Sequence, residues 1–211
     1  MAKAQEIIEK AKKEIGKTEY PPNSNNVSYN TWYYGHEVYD GLAGAKYPWC
    51  VTFIVWLFKE TKLLTKTASS TYLFNWFKKN GAIHKTPEVG DIAFFYFSKK
   101  KKQGVEAEHV GLVTKVSSDR VVTVEGNTSM NGSQDNGGMV CEKIRKLDGT
   151  IRGFGRPKYD KDTTQKKSNE EIAQEVIAGK WGTGIDRRKR LNEAGYDYFT
   201  IQSLVNKMLK G

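Results

Sequence analysis

Apolar residues recur at helical spacing at the start of the chain, where Ala4, Ile7, Ile8, Ala11 and Ile15 interleave with charge in MAKAQEIIEKAKKEIGK and predict an amphipathic first helix. The next stretch, YPPNSNNVSYNTWYYGHEVYDGLAG, is rich in Pro, Asn, Gly and Tyr, lacks sustained periodicity and reads as a long ordered loop. Loops of that length inside a domain usually carry function. WCVTFIVWLFKETKLL is apolar nearly all round and predicts a buried central helix opened by Tyr47-Pro48-Trp49, with Cys50 in its first turn. TYLFNWFKKNGA is amphipathic, through Tyr72, Leu73, Trp76 and Phe77, and is stopped by Gly81.

Beyond Gly81 the period changes from helical to alternating. DIAFFYF, HVGLVTKV, RVVTVEGN, MVCEKIRK and IRGFGRP are short, β-branched or aromatic, and separated by turn residues, which predicts an antiparallel sheet and an α+β class. His36 and His84 fall in loop contexts. Residues 158–167 are polar and read as a linker between a main domain at 1–157 and a small module at 168–211. Helical periodicity returns in NEEIAQEVIAGKWG, DRRKRLNEAG and FTIQSLVNKMLK, a three-helix module with Leu191, Tyr196, Ile201, Leu204, Val205 and Leu209 as its core.

Charge narrows the partners. The 34 Lys and Arg against 24 Asp and Glu give a net charge of +10, which suits an anionic partner, either nucleic acid or a cell wall with acidic polymers and peptide carboxylates. The Lys99–Lys102 cluster reads as a solvated loop. No apolar run approaches the roughly 20 residues needed to span a bilayer, and the N-terminal segment lacks the apolar core of a signal peptide. A reducing compartment is therefore expected, with Cys50 and Cys141 as free thiols and Cys141 a buried spectator.

Four residues stand out chemically. A cysteine at a helix start meets the positive end of the dipole and unpaired N–H groups, which favour thiolate over thiol, so Cys50 is a candidate nucleophile as well as a candidate core residue. His109, at the start of a strand in AEHVGLV, is a candidate base or a structural histidine. In VVTVEGNT, Glu125 and Asn127 alternate onto one face, and either suits the orienting of an imidazole. Trp32, Tyr34 and Trp49 flank Cys50 in sequence and are candidate groove-lining aromatics.

PWCVTFIVW, EHVGLV and VEGNT, in that order, resemble the CHAP family of cysteine, histidine-dependent amidohydrolases/peptidases, and SNNVSYNTWYYG with YPWC resembles a subset of its lysins. The resemblance covers about residues 1–157. It implies a papain-like fold, with Cys50 as nucleophile, His109 as general base, Glu125 as orienting group, Asn127 as a fourth polar member and the Cys50 backbone N–H in the oxyanion hole. Some members of the family bind calcium through an Asp-rich segment ahead of the cysteine. Here only Asp40 lies there, with Glu37, Asn25 and Asn26 nearby, so neither metal nor cofactor is expected.

EVIAGKWGTGIDRRKRLNEAGYDYFTIQSLVNKML resembles a wall-binding repeat of certain phage lysozymes, which implies muropeptide recognition with Asp186, Arg187 and Arg190 as candidate contacts. Together these resemblances imply an endolysin held in the host cytoplasm until its release to the wall. Its partner would be peptidoglycan rather than nucleic acid, and it would not insert into a membrane. The bond cut would be the N-acetylmuramoyl-L-alanine amide or a stem or cross-bridge peptide bond. A non-catalytic basic protein that binds wall or nucleic acid is the rival, and the grouping of Cys50, His109 and Glu125 in family-like contexts argues against it.

Overall fold

The computed structural model describes residues 2–41, 46–131, 137–160 and 167–210. The chain divides into two compact units, residues 1–161 and 162–211. The first is α+β. Four helices, α1 (Ala4–Lys13), α2 (Ser28–Tyr34), α3 (Cys50–Leu57) and α4 (Ser70–Lys79), precede six strands, β1 (Ile83–His84), β2 (Ile92–Phe95), β3 (His109–Val116), β4 (Arg120–Thr128), β5 (Met139–Lys146) and β6 (Ile151–Gly155). The strands form one antiparallel sheet in the order β1-β6-β2-β3-β4-β5. The β5 edge is closed by the chain leaving α1, where Gly16 donates to the Val140 carbonyl and Val140 donates to Lys17. Covering an edge in this way removes a template for unwanted strand pairing.

The core lies between α3 and one face of the sheet. Val51, Phe53, Ile54, Val55 and Leu57 of α3 are buried together with Ile92, Phe94, Val110, Leu112, Val124 and Val140, and Ile7, Ile8 and Ala11 of α1 join them. Each such Val, Ile, Leu or Phe side chain contributes about 1.5–3 kcal/mol on full burial. The opposite face carries a second cluster, Ala93, Phe95, Val113, Val121 and Phe154. Both faces of the central strands are therefore buried, which accounts for the near-continuous apolar runs in β2 and β3.

Four features depart from the sequence expectations. The segment read as one long loop contains α2, a helix fixed by tertiary contacts: Tyr29 packs against Trp49, Phe53 and Trp56, and the Asn30 amide donates to the carbonyls of Asn25 and Tyr47 while accepting from Thr52. His84 sits in β1, paired with Phe154, rather than in a loop. Ile15 lies beyond the end of α1 and is exposed. Within the segment read as linker, the Tyr159 hydroxyl donates to the Gly90 carbonyl at 2.8 Å and its ring packs on Phe58. Residues 161–166 of that segment lie outside the described residues.

The second unit contains α5 (Asn169–Ile177), α6 (Gly184–Glu193) and α7 (Tyr198–Lys210) around Ile172, Ala173, Val176, Leu191, Tyr196, Ile201 and Val205. Ser168 and Glu171 form a capping box that satisfies two N-terminal N–H groups of α5. Leu204 is only partly buried, and Leu209, expected in this core, is exposed. Among the described residues no helix is long and apolar enough to cross a membrane.

Candidate active site

Cys50 is the first residue of α3, and three contacts set where that helix begins. Trp49 is fully buried and its indole N–H donates to Glu19, itself buried, at 3.2 Å. Thr52 is tied to Asn30 at 2.7 Å. Gly126 of β4 supplies the third, since a Cβ there would meet the Phe53 Cβ and the Trp49 ring, both at 2.8 Å. Only glycine lets the first turn of α3 come this close to the strand that carries Glu125.

His109 opens β3 and Glu125 lies near the end of β4. The strands are antiparallel, so both residues fall at the same end of the sheet, where α3 packs across β3 and β4. The His109 Nε2 and a Glu125 carboxylate oxygen are 2.9 Å apart, and both side chains are fully buried. Glu125 is satisfied on both oxygens: Oε1 accepts from the Thr123 hydroxyl and from Arg145 Nε at 2.8 Å, and Oε2 accepts from a second Arg145 nitrogen as well as from His109. Burial alone would raise the Glu125 pKa, but the hydrogen bonds and charges of Arg145 and His109 outweigh it and bring it to about 2.

An ionised carboxylate only accepts, so Nε2 must carry the proton of this bond. That leaves Nδ1, which is buried, as the nitrogen available to the Cys50 thiol. Burial lowers the basicity of His109, yet Cys50 and Glu125 together overcome it and hold the imidazole at about 9. Phe95 and Phe97, stacked on each other at 5.6 Å, have ring centroids 6.0 and 6.1 Å from that of the imidazole.

The structure brings Cys50, His109 and Glu125 together. Asn127 is buried but is not among the groups that bond the imidazole. The β4–β5 register shifts between Glu125 and Thr128, and Asn127 adopts φ +56°, so the alternation expected to put it on the Glu125 face is broken there. Trp49 is also corrected, because a fully buried ring whose N–H is committed to Glu19 belongs to the core and not to a groove wall. Trp32 is half-buried beneath the Lys66 ammonium and lines a surface recess with Tyr20, Thr31 and Glu37. Tyr34 packs edge-on against Tyr33 and Tyr47.

In the second unit, Asp186 and Arg190 pair with each other at 2.7 Å on an exposed face of α6. Arg187 donates instead to the Gly182 carbonyl and the Gln202 side chain, so part of its fork is used within the module. Among the described residues, no three of His, Cys, Asp and Glu are grouped as ligands for a metal ion. Sequence reasoning missed Glu19, Thr123, Gly126 and Arg145. Strand alternation places Thr123 on the Glu125 face, whereas Arg145 comes from another strand whose neighbours the sequence does not reveal.

Residues 42–127, which include Cys50, His109 and Glu125, match the CHAP domain family. The chain carries a CHAP domain. Residues 170–209, nearly the whole of the helical unit, match the CW_7 repeat. Solved structures similar to this chain include the wild-type endolysin LysIME-EF1, at 13% identity and a TM-score of 0.48, covering 76% of this chain and 67% of the other. Ly7917 is similar at 12% identity and a TM-score of 0.44, covering 74% of this chain and 62% of the other. No curated protein matches the chain. The CHAP domain supports a peptidoglycan hydrolase, and the CW_7 repeat supports binding to the cell wall.

Proposed function

We propose that the protein is an endolysin that hydrolyses the N-acetylmuramoyl-L-alanine amide of peptidoglycan with Cys50 as nucleophile. The observation that carries this reading is the buried Cys50–His109–Glu125 constellation inside the segment that matches the CHAP domain. His109 Nδ1 takes the thiol proton, and the sulfur attacks the amide carbonyl. The tetrahedral oxyanion is met by the backbone N–H of Cys50 at the start of α3, where helix donors are unpaired. His109 then gives its proton to the departing amine, leaving a thioester, and water activated by the same nitrogen releases the acid and restores the thiol. Glu125 stays ionised throughout, fixing the tautomer and stabilising the imidazolium.

The CW_7 unit, with Asp186 and Arg190 on its exposed face, holds the enzyme on insoluble substrate, and Trp32 supplies an aromatic face for sugar or peptide. The net charge of +10 is read as attraction to an anionic wall rather than to nucleic acid. The protein acts after release from the host cytoplasm.

The test is turbidity loss of purified Gram-positive walls with wild type and Cys50→Ser, followed by mass spectrometry of the fragments. New N-terminal alanine that depends on Cys50 is the expected result. New termini within the stem or cross-bridge would replace amidase with endopeptidase. Full lysis by Cys50→Ser, or inactive wild type across several wall types, would overturn the mechanism.

A further inference from the structure

We propose that Arg145 is a positioning residue for the Cys50–His109 reaction, its guanidinium locking the Glu125 carboxylate in the orientation that leaves His109 Nδ1 for the thiol. The inference rests on the mechanism above and adds a residue from β5 that lies outside the segment matching the CHAP domain. On the ladder Arg145 stands opposite Val121 and Glu125 opposite Cys141, so the two side chains lean toward each other over Thr123 on one face of the sheet. Arg145 Nε reaches Oε1 and a terminal nitrogen reaches Oε2, a two-pronged contact that stops the carboxylate rotating about its last torsion.

The guanidinium in turn lies over two aromatic rings. Its carbon lies 5.0 Å from the centre of the Phe95 ring and 5.2 Å from that of Phe97, the same stacked pair that flanks the imidazole. One aromatic wall therefore packs against both the histidine and the cation that orients its partner. Lysine at this position would keep the charge but lose the fork and the stacking. Thr123 adds a further donor to Oε1, so both carboxylate oxygens are taken up by groups on fixed strands.

The charge has a consequence of defined sign. With Arg145 present, loss of the imidazolium proton that His109 must give to the departing amine leaves His109, Glu125 and Arg145 together neutral; without Arg145, the same step leaves Glu125 as an uncompensated buried negative charge. Arg145→Met therefore moves the alkaline limb of the kcat/KM profile to higher pH, whereas Glu125→Gln moves it to lower pH. Arg145→Lys leaves the limb near its wild-type position but lowers kcat by about 10- to 100-fold with little change in KM, as expected for a misplaced base.

Lysis rates are measured on the full chain against wall concentration and pH, with circular dichroism to confirm folding. Opposite displacements of the limb in Arg145→Met and Glu125→Gln support the proposal. An unmoved limb in folded Arg145→Met overturns it, as does wild-type kcat in Arg145→Lys. The Lys variant decides alone if Arg145→Met does not fold. Activity surviving in Cys50→Ser would instead remove the mechanism on which the proposal rests, a separate and distinguishable failure.

Discussion

Replacing Gly111 by alanine tests whether the placement of Glu125 governs the reaction. A Cβ at this position would stand 2.6 Å from Glu125 Cγ and 3.1 Å from Thr123 Cβ. Ordinary carbon–carbon contact is about 3.5–4.0 Å, so roughly 1 Å of movement is required. The Glu125 side chain cannot supply it at no cost, because His109, Thr123 and Arg145 hold both carboxylate oxygens. If Glu125 yields, the imidazole loses its orientation and hydrolysis falls by about 100-fold, the effect expected from a misplacement of about 1 Å. If the strands yield instead, overpacking costs about 1–3 kcal/mol. In a unit of this size that cost lowers Tm by roughly 2–12 °C. The assay pairs lysis rate on purified walls with a thermal melt, and Gly149→Ala, whose added Cβ meets nothing within 4 Å, is the control expected to be silent in both. Gly111→Ala with wild-type turnover and an unchanged Tm would refute the account of a tightly held carboxylate.

Gly126→Ala should act on the other partner of the reaction: its Cβ would meet Phe53 and Trp49 at 2.8 Å and push the start of α3 away from β4, so lysis and Tm are expected to fall together. Cys50 should alkylate with iodoacetamide near neutral pH far faster than Cys141, whose thiol is pushed up by burial and, less strongly, by Glu125, and peptide mass spectrometry would expose equal labelling. The His109–Glu125 pair should shape stability against pH. The His109 contribution is complete below its ordinary 6.5 and lost as pH rises through about 9, and that of Glu125 is complete above 4.5 and lost as pH falls through about 2. Melting curves should therefore show the fullest benefit between 4.5 and 6.5, and loss of the alkaline slope in His109→Gln. Leu191→Ala, in the fully buried core of the helical unit, should cost about 2–5 kcal/mol there and weaken retention on insoluble walls more than hydrolysis, read by co-sedimentation beside turbidity.

The parts of this molecule that could be read from the sequence are those in which local pattern and tertiary role agree. β2 to β6 are bounded by turn residues and form where the pattern puts them, and α3 forms at the start of its apolar stretch but ends at Leu57, short of the 16 residues read as one helix. α2 could not be read because SYNTWYY owes its helix to distant partners: Asn30 bonds Tyr47 and Thr52, and Tyr29 is enclosed by three aromatic rings. The place of Asn127 could not be read because strand alternation presumes an unbroken ladder, whereas the register shifts between Glu125 and Thr128 and Asn127 adopts φ +56°. Leu209 was misplaced because helical periodicity alone does not say how far along α7 the packing extends: Ile201 and Val205 are buried against α5, whereas Leu209 is exposed.

Arg145 shows a different limit. In MVCEKIRK it is one of several alternating charges on a short strand, and such residues are usually solvated. Its role depends on three segments meeting: β4 supplies the carboxylate, β2 and the chain just beyond it supply the aromatic wall, and β3 supplies the imidazole. None of these is near Arg145 in sequence. A motif records the groups that touch the substrate. The groups that hold those residues in place are chosen by the sheet order, and β5 neighbours β4 only because the chain returns through that hairpin. A fully buried carboxylate bonded to histidine needs a cation or several donors to stay ionised, and that requirement points to a partner like Arg145 even where no motif names it.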